Sequence, residues 1–130
     1  MKATRMIAAL YLLAALYDGL LGAAFLCAPE AVFRISAVTP PNHWGYVQFP
    51  AALLIIFALM FVAIARNPVQ NRNLVIYGIL LKAAYCSITF WYWFSDGVPA
   101  LWKPFAVIDL VTGLLFVWCY RTLEKATAPV

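Results

Sequence analysis

Residues 74–94, LVIYGILLKAAYCSITFWYWF, form an apolar run broken by a single charge, Lys82. At about 1.5 Å per residue, a helix of this length covers the ~30 Å of bilayer hydrocarbon. Three comparable runs surround it. Residues 6–28 carry one charge, Asp18; residues 46–65 carry none; residues 104–120 carry one, Asp109. With 66% hydrophobic and 11% charged residues in a chain of 130, little sequence is left for a soluble domain. The pattern predicts an all-α polytopic membrane protein: one domain, residues 1–130, folded as an up-down bundle of four transmembrane helices at about 6–28, 46–65, 74–94 and 104–120.

The net charge of +4 has a membrane explanation. Lys2, Arg5, Arg66, Arg72, Arg121 and Lys125 fall on one predicted side, and only Arg34 and Lys103 on the other. This positive-inside bias places both termini in the cytoplasm. It also removes the reason to expect nucleic acid as a partner. The amino-terminal run is too long for a signal-peptide core and lacks a small-x-small cleavage site, so it reads as a retained helix.

Connections follow from their breakers. Pro29 and Glu30 open a short interfacial helix carrying Val32, Phe33 and Ile35, which Pro40-Pro41 should end. Asn67-Pro68 sets a tight turn after the second span, and Ser95-Asp96-Gly97-Val98-Pro99 another after the third. Short turns make the second, third and fourth spans sequential antiparallel neighbours. Trp44, Tyr46, Phe90, Trp91, Tyr92, Trp93, Phe94 and Trp102 cluster at one boundary and read as an interfacial aromatic belt. Pro50 falls in the first turn of its helix, where a missing N–H costs little.

The chemistry rests on the three buried charges. Each costs roughly 2.5–3.5 kcal/mol at a helix centre on insertion scales, so such groups face the bundle interior and pair. Counted from the cytoplasmic ends, Asp18 lies about 18 Å deep, Lys82 about 12 Å and Asp109 about 16 Å. A flexible lysine stem reaches either acid from there. Lys82 and Asp109, on sequential helices, are the expected principal pair, and Asp18 the surplus acid that holds a proton. Tyr11, Gly22, Gly78, Tyr85, Thr89, Thr112 and Gly113 share the charged faces and are candidate ligand-lining residues. A register-fixing salt bridge is the competing interpretation of the cluster.

Other chemistries find no footing. One histidine, His43, cannot supply paired haem ligands, and no spacing suggests a metal cage, a phosphate loop or a serine elbow. No catalytic residue and no cofactor are assigned. Cys27, Cys86 and Cys119 lie at different predicted depths and are not expected to pair.

In sum of ordered features the chain resembles the DoxX-like group of small four-helix bacterial membrane proteins. The resemblance is carried by Gly22 and then Pro29 closing the first helix, Arg66-Asn67-Pro68 with Arg72 after the second, Lys82 in the third and Asp109 in the fourth. It implies an accessory subunit of a membrane complex, or a bundle that binds a lipid or quinone. Partners are then the bilayer, such a ligand, or other membrane subunits. A proton-coupled small-molecule transporter using Asp18, and an enzyme acting on a lipid or quinone through Asp18 and Asp109, are the alternatives.

Overall fold

A computed structural model describes residues 2–129, all of whose regular elements are helices. They are α1 (Lys2–Cys27), α2 (Pro29–Ile35), α3 (Gly45–Arg66), α4 (Arg72–Ser95) and α5 (Trp102–Thr127). The four long helices are each long and apolar enough to cross a membrane, and α2 is the short helix between the first two. The chain is a small multi-pass membrane protein built as a four-helix bundle. The start of α1 and the end of α5 lie on one side, with the α3–α4 turn; α2 and the α4–α5 turn lie on the other.

The helices outrun the apolar segments that announce them. α5 runs to Thr127, well beyond residue 120, because its last turns still have work to do inside the protein. Leu123 is buried, and Arg72 at the start of α4 lies 4.0 Å above the Tyr120 ring and 3.4 Å from Glu124. Hydropathy marks only the part that crosses hydrocarbon, whereas a helix continues wherever its backbone stays bonded and one face stays packed.

Packing follows the expected sequential order of the spans, but unevenly. α1 lies against α3 along most of its length and α4 against α5, while α3 and α4 adjoin only lightly. Small residues decide this. A Cβ on Gly22 would stand 2.8 Å from the Ala51 carbonyl oxygen, so only glycine lets α1 approach the α3 backbone there. A Cβ on Gly113 would meet the Lys82 Cβ at 3.1 Å, which brings α5 onto α4 at the charged residue itself.

Local chemistry sets the turns. α2 stops at Ile35, ahead of Pro40-Pro41. Ala37 takes a left-handed conformation (φ 54°), while Val38 N–H bonds the Phe33 carbonyl and Ala37 N–H the Arg34 carbonyl. That is a Schellman closure, unusual in using alanine where glycine is preferred. Asn71 Nδ2 donates to the Ala63 carbonyl at 2.7 Å and so satisfies the end of α3. Gly97 (φ 84°) supplies the left-handed residue after α4.

Two corrections concern the aromatic side. Trp44 and Trp102 do not sit in a lipid-facing belt; they turn inward onto Phe33, at 5.2 and 5.9 Å between ring centroids, and Trp102 also stacks on Phe25. Trp91, Phe94 and Tyr46 do remain exposed. Pro50 lies beyond the first turn of α3, so the Tyr46 carbonyl lacks the amide that would normally bond it.

Candidate functional site

α1, α4 and α5 bring Asp18, Lys82 and Asp109 together at one point. Lys82 Nζ donates to Asp18 Oδ1 at 3.0 Å, to Asp18 Oδ2 at 3.1 Å and to Asp109 Oδ1 at 3.0 Å. An ammonium has three N–H donors, and the three oxygens account for all of them. Asp18 is 0% exposed, Lys82 2% and Asp109 9%. The expected pairing is therefore incomplete. Lys82 binds both acids, and Asp18, cast as the surplus acid, takes both of its oxygens to the lysine. Asp109 uses one oxygen and keeps the other for something else.

Neighbouring contacts hold this geometry. The lysine stem packs on Gly113, and its ammonium lies 5.7 Å from the Tyr17 ring centroid and 6.0 Å from that of Phe61. Cation–π attraction of this kind adds to the hydrogen bonds when the ring is desolvated. Tyr85 Oη donates to the Trp102 carbonyl at 3.0 Å and Cys86 Sγ to the Ala106 carbonyl at 3.6 Å, fixing α4 to α5 on the α2 side of the cluster. The Tyr17 hydroxyl is buried without a hydrogen-bond partner.

A cavity of about 400 Å³ opens beside the cluster on the α2 side. Asp18 and Asp109 form its polar floor. Its walls are Leu21 and Phe25 of α1, Tyr46, Val47, Pro50, Ala51, Leu53, Leu54 and Phe57 of α3, Leu81 and Tyr85 of α4, and Trp102 and Phe105 of α5. The size is within the range of small-molecule sites, and an almost wholly apolar wall with a few convergent polar atoms is their usual composition. A second depression of about 370 Å³ lies over the α1–α2 junction, with none of the charged cluster in its lining.

Of the candidate lining residues, Tyr85 alone borders the cavity. Gly22, Gly78 and Gly113 are packing positions, Gly78 admitting the Phe61 and Phe116 rings. Tyr11 is fully buried in the half nearer the termini, stacked on Phe116 at 4.5 Å. Thr89 is buried away from the lining, and Thr112 bonds the Ile108 carbonyl of its own helix. The true walls were legible by helical spacing from the acids. Leu21 and Phe25 lie one and two turns after Asp18, and Phe105 and Trp102 one and two turns before Asp109.

No family model, no curated protein and no solved structure matches the chain. Its function is accordingly read from this geometry.

Proposed function

We propose that the bundle binds a hydrophobic ligand of the lipid or quinone kind within the membrane, without catalysing its conversion. The observation that carries this reading is the cavity of about 400 Å³ whose apolar walls end on the carboxylates of Asp18 and Asp109. A salt bridge serving only to fix helix register needs no such space beside it. The apolar body of a ligand would lie along Phe25, Leu54, Phe57 and Phe105, and its polar end would meet Asp109. Membership of the DoxX-like group, a bacterial inner-membrane location and cytoplasmic termini belong to the same proposal; its supports are the order of Gly22, Pro29, Arg66-Asn67-Pro68, Arg72, Lys82 and Asp109 and the six-to-two division of cationic residues.

Native mass spectrometry of the intact protein released from a gentle detergent tests the reading. A retained small molecule of discrete mass, lost on filling the cavity with Leu54→Trp, is expected. Bare protein after extraction from lipid- and quinone-containing membranes would sink it.

A further inference from the structure

The cavity has two closed ends and one open side. Toward the termini it stops at Phe61, fully buried with Tyr11 and Phe116 in an interlocked aromatic layer. Toward the α2 side, the inward-turned rings of Trp44 and Trp102 close over Phe25 and Phe33. Between α1 and α5, which also adjoin lightly, Tyr17 packs on Phe105; the side left is the seam where α3 and α4 adjoin only lightly. Lining residues from α3 keep much of their surface uncovered, Leu53 38% and Tyr46 73%. On a helix that crosses the membrane, an uncovered apolar seam faces acyl chains and not water.

The polar floor is equally one-sided. All three Lys82 N–H groups point at Asp18 and Asp109, and the Tyr85 hydroxyl is spent on the Trp102 carbonyl. The unpartnered Tyr17 hydroxyl lies outside the lining, so what the floor itself offers a ligand is a carboxylate acceptor and no donor. Two acids on one ammonium also leave a surplus negative charge when all are ionised. A ketone, an oxidised quinone or a fatty-acid carboxylate brings only acceptors and would set oxygen against oxygen. An alcohol, a hydroquinone or an ammonium brings the missing proton donor.

We propose that the α3–α4 seam is a lateral portal through which the cavity takes, from the bilayer, an amphiphile whose head carries an O–H or N–H donor for Asp109. This rests on the ligand-binding reading above and narrows it to donor-headed molecules arriving through lipid.

The test uses the full chain in phosphatidylcholine nanodiscs and four probes of similar chain length: decanol, decylammonium, methyl octyl ketone and decanoate. Thermal melting at a fixed mole fraction in the bilayer should rise with decanol and decylammonium and stay unchanged with the ketone and decanoate. Asp109→Asn puts an amide N–H₂ on the floor, so it should weaken decylammonium binding at least tenfold and gain binding of the ketone. A larger shift with decanol than with decylammonium identifies hydroxyl heads as the preferred source, and the reverse identifies amines. Leu53→Trp with Leu81→Trp should obstruct the portal and slow binding at least tenfold, whereas Leu59→Trp, exposed on α3 outside the lining, should not. If the double variant does not fold, Leu81→Phe carries the same comparison. Equal shifts from ketone and alcohol, an ammonium affinity indifferent to Asp109→Asn, or binding rates untouched at the portal each overturn the inference while leaving ligand binding intact. Failure of all four probes, together with bare protein in the mass spectrometer, removes the parent reading instead.

Discussion

Asp18 and Asp109 face each other across a single ammonium, each with an oxygen 3.0 Å from Lys82 Nζ. The relationship is unequal. Both border the cavity, but Asp18 is fully buried and doubly bonded to the lysine, whereas Asp109 is slightly exposed and singly bonded. The first is suited to holding the lysine and the second to meeting a ligand.

Lys82 is the residue whose loss should be felt most. Lys82→Met leaves two carboxylates together in an apolar interior, and breaking a buried ion pair in this way costs about 3–5 kcal/mol. Melting in detergent should fall accordingly and recover largely in Lys82→Met with Asp18→Asn and Asp109→Asn. A triple variant as weak as the single one would show that packing of the lysine stem, and not charge, accounts for the loss.

The two acids should separate when neutralised one at a time. Asp109→Asn leaves a balanced pair and an amide oxygen that still accepts from Lys82, so its melting temperature should stay near that of the parent. Asp18→Asn turns an N–H₂ toward the lysine at a fully buried position, with a loss of about 1–3 kcal/mol for a mismatched buried group. Parallel melting curves decide it; equal losses would make the acids structurally equivalent.

Gly22 and Gly19 offer a paired test of helix approach. An added methyl at Gly22 meets the Ala51 carbonyl oxygen at 2.8 Å, a backbone atom that cannot swing away, whereas at Gly19 it meets the Ala58 Cβ at 3.5 Å, ordinary contact. Gly22→Ala should cost roughly 1–3 kcal/mol as an overpacked interface, and Gly19→Ala little. Unfolding midpoints in denaturing detergent are the readout, and the order reversed would contradict the α1–α3 geometry.

Sidedness is open to direct labelling. With the termini in the cytoplasm, Asn71→Cys in the α3–α4 turn should react only from that compartment, and Ser95→Cys at the end of α4 only from the opposite one. Membrane-impermeant maleimide on intact cells and on inverted vesicles gives the comparison. Labelling of Asn71→Cys from outside would reverse the orientation.

The number of long helices and the three charged positions were legible in the sequence because hydrocarbon imposes a length and makes an interior charge conspicuous. How closely each pair of neighbouring helices packs was not. The closeness of α1 to α3 depends on Gly22 meeting a particular carbonyl, a three-dimensional coincidence that hydropathy does not record. Trp44 and Trp102 misled for a related reason. Indole rings favour the membrane boundary, but Phe25 and Phe33 gave these two a packed alternative. The division of labour between Asp18 and Asp109 was hidden because lysine reach, estimated from depth along separate helices, cannot tell which oxygens its three N–H groups will meet.

The pairing of α1 with α3 and of α4 with α5 has a consequence for biogenesis. Chains emerge amino terminus first, so Lys82 enters the membrane when Asp18 is already there and Asp109 has not yet arrived. The nascent protein can neutralise its lysine at once and need not hold an orphan cation in lipid. Asp109 arrives last, on the helix that closes against α4, and brings the unbalanced charge with it. An intermediate in which α1, α3 and α4 have entered the membrane is thus electrically complete at its centre, and the final helix converts a neutral frame into a charged one.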